Sequence, residues 1–189
     1  MSRDLTWKVL RSILFGMELQ DSVDFCIADI TSYYAEINPD VEGAVDRISS
    51  IERYQGRTFG ETLAKYGLNH GEYRLLLRLA TRAADHRLSA GELAKILALS
   101  SGAMTNRLDR LEKAGLIRRV PDPRDRRGVL VELSADGKQR IDAAVTEQAA
   151  KEIDAFSALT AKELKQLNTL LRKVLVSIEA PTEAAAAAS

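Results

Sequence analysis

The stretch from Glu92 to Gly137 reads ELAKILALSSGAMTNRLDRLEKAGLIRRVPDPRDRRGVLVELSADG. It opens with two short helical patterns joined by a tight polar turn at Leu99-Ser100. Leu93, Ile96 and Leu97 mark the inner side of the first, which spans about Ser89 to Leu97. Met104, Leu108 and Leu111 recur at spacings of four and three, so the second helix, from about Ser101 to Lys113, packs on a core through that side. Ala114-Gly115 stops it. Leu116 to Val120 then reads as a strand, and Val129, Val131 and Leu133 alternate with Leu130 and Glu132 as its return. Between the strands lies the arginine-dense loop Pro121-Asp122-Pro123-Arg124-Asp125-Arg126-Arg127-Gly128.

That order is what a helix-turn-helix with a basic wing requires. The outer face of the second helix carries Ser101, Gly102, Thr105, Asn106, Asp109, Arg110 and Lys113. Its N-terminal end is built from Ser100, Ser101, Gly102 and Ala103, small enough for the backbone to approach base edges in a major groove. The free N–H groups there also suit a phosphate. Ser100 is expected to cap the helix by accepting from an N–H near Ala103. Thr105, Asn106 and Arg110 complete the candidate DNA-binding set on the helix; whether they meet phosphate or base is open at this level. Arg124, Arg126 and Arg127 at a hairpin tip suit the narrow, electronegative minor groove. Asp122 and Asp125 are candidates for shaping the wing, Asp125 either as partner to a neighbouring arginine or as a solvated group. Related hairpin modules bind RNA or protein, and an arginine-rich loop alone is commonly a solvated face. The order and spacing together point to double-stranded DNA.

The 189 residues carry 27 Lys+Arg against 27 Asp+Glu, so global charge gives no pull toward a polyanion. Its distribution does. Residues 105–128 hold eight basic side chains (Arg107, Arg110, Lys113, Arg118, Arg119, Arg124, Arg126, Arg127) and four acids (Asp109, Glu112, Asp122, Asp125), giving 8 − 4 = +4. Residues 1–50 hold four basic residues and nine acids, giving 4 − 9 = −5. A neutral chain with one basic stretch limits nonspecific attraction. The single Cys26 excludes an internal disulfide framework and a multi-thiolate zinc site, and fits a reducing, cytoplasmic setting. No apolar stretch approaches the roughly 20 residues of a membrane span, and no secretory pattern opens the chain. Glycine-rich phosphate loops, nucleophile elbows and metal-ligand motifs are lacking, so the expectation is a non-enzyme with no cofactor and no metal. His70 and His86 are too few and too separated for a metal site and read as surface groups.

The remainder reads as mainly α. Leu10, Ile13, Leu14 and Met17 recur at helical spacing, with Trp7 as packing. A second pattern runs through Val23, Ile27, Ile30, Tyr34 and Ile37 to a break at Asn38-Pro39-Asp40. A third opens at Val41 and runs to about Tyr66, with Gly56 and Gly60 as weak points and Gly67 as C-cap. Tyr73, Leu76, Leu77 and Ala80 mark a fourth, buried helix. Ser89 with Glu92 and Thr160 with Glu163 form capping boxes, and Ser134 is a third N-cap. Two long amphipathic helices follow the wing, one along Ile141, Val145, Ala149, Ile153 and Phe156, the other along Leu164, Leu167, Leu171, Val174 and Ile178. They pack on their own domain or, the favoured reading, build a two-fold dimer interface, because one winged module grips one half-site. The expected organisation is a helical extension over 1–38, a dimerisation region over 39–66 and 134–179, a winged helix-turn-helix over 67–133 and a disordered tail over 180–189.

From about Val41 to Glu179 the chain resembles the MarR family of winged helix-turn-helix regulators. The most diagnostic piece is GLIRRVPDPRDRRGVLVELSADGK, from Gly115 to Lys138, with SSGAMTNRLDRLEKAGL beside it. The family's wing pattern of Asp, Arg, Asp, Arg falls on Asp122, Arg124, Asp125 and Arg127. The resemblance implies an obligate homodimer on a pseudo-palindromic operator, usually a repressor, released by a small phenolic or anionic effector or by thiol oxidation. The N-terminal extension is similar to the urate-responsive branch, whose ligand set is a tryptophan, an acid and two arginines. The arginines correspond to Arg107 and Arg119, the acid's position holds Arg74, and the tryptophan's place falls near Tyr34. Two matches of four with a charge reversal argue against urate and leave another anion, with Arg107 and Arg119 bound to phosphates or a carboxylate as the alternative. Cys26, near Tyr33 and Tyr34, is the candidate redox group; beside Phe25 and Ile27 it reads more readily as an inert small hydrophobe. A winged-helix protein-interaction module is the remaining rival.

Overall fold

The structure, a computed structural model, describes residues 20–82 and 87–180. The elements are α1 (Ser22–Tyr33), α2 (Pro39–Lys65), α3 (His70–Arg82), β1 (Arg87–Ser89), α4 (Ala90–Leu97), α5 (Ser101–Lys113), β2 (Ile117–Asp122), β3 (Asp125–Leu133), α6 (Ala135–Ala155) and α7 (Ala161–Glu179). The fold is mainly α with a winged helix-turn-helix at its centre. Trp7, the pattern from Leu10 to Met17, His86 and the tail from Pro181 lie outside the described residues. The chain divides into two compact units, one ending at Arg57 and the other starting at Thr58.

In the first unit Asp21 caps α1, accepting from the N–H groups of Val23 and Asp24 while Asp24 reciprocates. Arg47 of α2 pairs with Asp21 at 2.8 Å and also with Asp24, which ties α2 to the capped end of α1. The helix ends at Tyr33, short of the expected Ile37. Asn38 has to leave the helical conformation to accept from the N–H groups of Asp40 and Val41 at 3.0 and 3.2 Å, and the residue before a proline is biased toward extended backbone. The turn between the helices takes up the intervening residues.

The core of the second unit joins Leu75, Leu76 and Leu79 of α3, Leu93 and Leu97 of α4, Met104, Leu108 and Leu111 of α5, Ile117, Val131 and Leu133 of the sheet, and Ile141 of α6. The helix-turn-helix periodicity thus maps onto buried positions. Gly67 takes the left-handed conformation expected of it (φ +62°), and Leu68 N–H returns to Leu63 carbonyl at 2.9 Å. The sheet is antiparallel in the order β1-β3-β2. Strand β1, three residues before the Ser89 capping box, is one the hydrophobic pattern does not announce. It pairs Leu88 with Val131 on the central strand.

The strands reach further into the wing than expected. Pairing proceeds from Ile117↔Leu133 to Pro121↔Val129 and then jumps to Asp122↔Asp125. Residues 126–128 therefore bulge from β3 without a partner opposite them. Pro121 is tolerated because β2 is an edge strand, and Pro123 lies in the turn that follows it. A Cβ at Gly128 would lie 2.9 Å from Asp122 Cβ and 3.2 Å from Asp125 carbonyl oxygen, so only glycine closes the bulge over the turn.

The start of α6 is locked to the end of the reading helix. Ser134 Oγ donates to Gly115 carbonyl at 2.7 Å, Ser134 N–H donates to Leu116 carbonyl at 3.1 Å, and Ser134 Oγ accepts from Gly137 N–H at 2.9 Å. Behind it, α2 and α6 meet through a polar seam. The Thr62 hydroxyl is buried, faces Thr58 carbonyl at 2.9 Å and Gln148 Oε1 at 3.1 Å, and accepts from Lys151 Nζ at 2.8 Å. Glu147 takes Tyr66 OH at 3.0 Å, Lys151 at 3.2 Å, and Lys65.

Candidate nucleic-acid interface

Helix α5 is presented by a turn with one unusual backbone position. Ala98 ends α4 in the left-handed region (φ +52°), and Leu99 N–H donates back to Ala94 carbonyl at 2.9 Å. Ser100 then caps α5, its Oγ accepting from Ala103 N–H at 3.3 Å. Ser101, Gly102, Ala103, Thr105 and Asn106 are all exposed, whereas Met104, Leu108 and Leu111 are buried. Thr105 donates its hydroxyl proton to Ser101 carbonyl at 3.0 Å, which leaves an acceptor and a methyl outward.

The C-terminal half of α5 does something different. Arg110 pairs with Glu72 of α3 at 3.2 Å, and the Glu72 side chain is only 7% exposed. Glu72 also accepts from Asn69 N–H at 2.9 Å, while Asn69 Oδ1 accepts from Glu72 N–H at 2.9 Å. The buried carboxylate therefore caps α3 and fastens the reading helix to it. The Asn69-x-x-Glu72 spacing is the sequence signature of that capping box. Arg107 lays its guanidinium on Gly71, where a Cβ would stand 2.5 Å from its central carbon. Arg119 on β2 pairs with Asp109 at 2.6 Å and with Glu112, and its N–H donates to Glu112 at 3.0 Å. These carboxylates hold the Arg119 guanidinium above its already high ordinary range. Arg118 and Arg87 flank Glu132 across the sheet at 3.7 and 3.2 Å.

Part of the basic stretch is thus paired with carboxylates, while Arg110 and Arg118 keep 70% and 66% of their side-chain surface in solvent. Arg110, Arg118 and Arg119 have carboxylate partners. Lys113 on α5 and Arg124 at the wing tip are exposed. Asp122 Oδ1 accepts from Arg124 N–H at 2.9 Å, which closes the turn Asp122-Pro123-Arg124-Asp125 and sets Arg124 at its apex. The side chains of Arg126 and Arg127 lie outside the described set.

The other candidate groups are less gathered. Arg74 is exposed on α3 and Arg107 half-exposed on α5, but Arg119 is occupied by Asp109 and Glu112, the alternative left open for it. Tyr34 belongs to the first unit and the three arginines to the second. Cys26 is exposed, as is Phe25 at 68%. Val23 is the buried residue of α1, and Cys26 falls outside its inner face. His70 stands at the start of α3, edge-on to Phe59 at 5.6 Å between ring centroids. Among the described residues no group of His, Cys, Asp and Glu can hold a metal ion. None of their helices is long and apolar enough to cross a membrane.

Comparison with known proteins follows the same segment. A family model described as MarR family matches residues 68–129. The HTH-type transcriptional regulator PecS of Dickeya dadantii is 30% identical over 152 residues, 78% of this chain and 92% of PecS. The crystal structure of apo wild-type MarR from Escherichia coli aligns with a TM-score of 0.55 at 30% identity, covering 69% of this chain and 95% of that one. A Staphylococcus aureus MepR mutant bound to an oligodeoxyribonucleotide shares the fold with a TM-score of 0.57 at 23% identity, over 72% of this chain and 98% of that one.

Proposed function

The chain belongs to the MarR family of DNA-binding transcriptional regulators, a family without enzymatic activity, and from that premise we propose that it is a cytoplasmic, effector-responsive repressor that holds a pseudo-palindromic operator as a homodimer. The observation that carries the reading is the split of α5: an exposed, uncharged N-terminal half beside a wing with Arg124 at its tip, both fastened to one core by the charged C-terminal half. Each copy puts the Ser101–Lys113 helix in a major groove and Arg124 in the adjacent minor groove. Half-sites then lie about one helical turn, roughly 34 Å, apart.

Three groups of residues fill the remaining roles. Asp122 and Asp125 shape the wing, whose flanking Arg126 and Arg127 add phosphate contacts. Residues 39–66 and 134–179 supply the dimer interface; α7 in particular has no buried residue and shows Leu164, Leu171, Val174 and Leu175 to solvent. A small anionic or phenolic effector, as the family resemblance implies, meets Arg107, which has no carboxylate partner among the described residues.

Selection of fragments from the native genome by the purified protein tests the reading. Enrichment of a two-fold symmetric site, with affinity falling steeply as salt rises, supports it, because neutralised phosphates release counterions. A chain that enriches no DNA and shows no salt-dependent isotherm is a protein-interaction module instead.

A further inference from the structure

The face of α5 opposite the core holds one side chain that offers a donor and an acceptor side by side. Counting about 100° per residue from the buried Met104, the line facing away from the core passes through Gly102, Asn106 and Lys113 at roughly 160°, 200° and 180°. Side chains on a helix lean toward its N-terminus, so Asn106 leans over the turn that holds Gly102. A Cβ at Gly102 would meet nothing within 4 Å, and that space stays open beside the Asn106 carboxamide. Asn106 is exposed and has no partner among the described residues.

Its neighbours are less suited. The Thr105 proton is committed to Ser101 carbonyl. Arg110 is paired with Glu72, and Arg107 lies on Gly71 at about 300°, close to the buried side. No guanidinium stands on the reading line itself to make the two-point contact that identifies guanine, and the nearest, Arg110 at about 240°, already engages Glu72. A carboxamide presents one donor and one acceptor side by side, which matches N7 and the 6-amino group of adenine in the major groove.

Resting on the regulator reading above, we infer that Asn106 is the specificity-determining residue of this protein and reads an adenine in each half-site. Its Nδ2 donates to adenine N7 and its Oδ1 accepts from the 6-amino group. Gly102 supplies the clearance for the base edge, and Lys113, two turns along the same line, meets a phosphate.

The test uses the full chain and the site it selects from random DNA. Each adenine of that site is replaced in turn by 7-deazaadenine, which removes the N7 acceptor and leaves pairing intact. Wild-type protein is expected to lose part of the roughly 5- to 150-fold worth of a two-point contact at one adenine per half-site, since one of its two hydrogen bonds is removed. Asn106→Ala, which removes both hydrogen bonds from both half-sites, is expected to lose more on the unmodified site than any single deaza substitution costs and to be indifferent to that substitution there. Its affinity for unrelated DNA is expected to stay at the wild-type value. A uniform loss on all sequences with base preferences intact would make Asn106 a phosphate contact and overturn the assignment. So would a wild-type protein insensitive to every 7-deazaadenine, or a lost preference that falls on a G·C pair. A wild-type chain that enriches no sequence overturns the regulator reading and this inference together, which separates the two failures.

Discussion

Gly137 fixes the distance between the reading helix and the long helix that follows the wing. A Cβ there would stand 2.0 Å from Leu116 carbonyl oxygen and 2.9 Å from the Leu133 side chain. The obstacle is backbone, so no rotamer change relieves it. Gly137→Ala is expected to lower unfolding free energy by at least about 2 kcal/mol, the upper part of the overpacking range, read as a reduced urea midpoint. Glu147 makes a second residue-scale statement. Hydrogen bonds from Lys65, then Lys151, and from Tyr66 hold its carboxyl down to about 2 from an ordinary 4.5. A carboxylate whose folded value is depressed contributes stability that is complete above its unfolded value and fades as pH falls toward the folded one. The seam between α2 and α6 is therefore expected to weaken between about pH 4.5 and 2 and not above. Acid unfolding of Glu147→Gln checks it: the variant should show a shallower dependence across that window and converge on wild type at its low end.

Among the elements, the turn before α5 carries a removable strain. A non-glycine residue in the left-handed region costs roughly 1–2 kcal/mol, and Ala98 holds φ +52° there. Ala98→Gly is expected to stabilise the protein by about 0.5–1 kcal/mol after the added freedom of the unfolded chain is subtracted. A lower melting temperature would refute that. The wing works on a different principle. Proline at 123 fixes φ near −65°, so the two-residue tip cannot adopt the left-handed turns that usually close such hairpins. The bulge of residues 126–128 takes up the mismatch. Arg124 ends at the apex, and Arg124→Ala is expected to weaken operator binding by about 1–3 kcal/mol, with preference lost at the minor-groove position it reads. Titration on operator DNA at fixed salt decides it.

At the scale of the whole molecule α7 presents an open apolar surface. Leu170, Leu171, Val174, Leu175 and Ile178 are between 41% and 73% exposed, and a row of that kind on one helix marks an interaction surface. The proposed homodimer is expected to sediment near twice 20.8 kDa. Leu171→Glu with Leu175→Glu is expected to shift it to a monomer and to abolish operator binding with it, since one module grips one half-site. A double variant that still sediments as a dimer would move the interface away from α7.

What the sequence determined by itself is local. Met104, Leu108 and Leu111 repeat within one helix, and Ser89, Ser134 and Thr160 each cap by accepting from the N–H three residues on. Those interactions close over one helical turn, so their spacing is printed in the chain. Strand β1 escaped because three residues carry too little periodicity. Only the tertiary structure decided which charges are free. Arg110 meets Glu72 and Arg119 meets Asp109 only once α3, α5 and β2 are packed, and a charge count of +4 cannot separate a guanidinium held by a carboxylate from one left for DNA. The same holds for Gly137, whose partner Leu116 lies in the turn between α5 and β2. Contacts between distant segments depend on packing distances, and a linear pattern does not encode those one residue at a time.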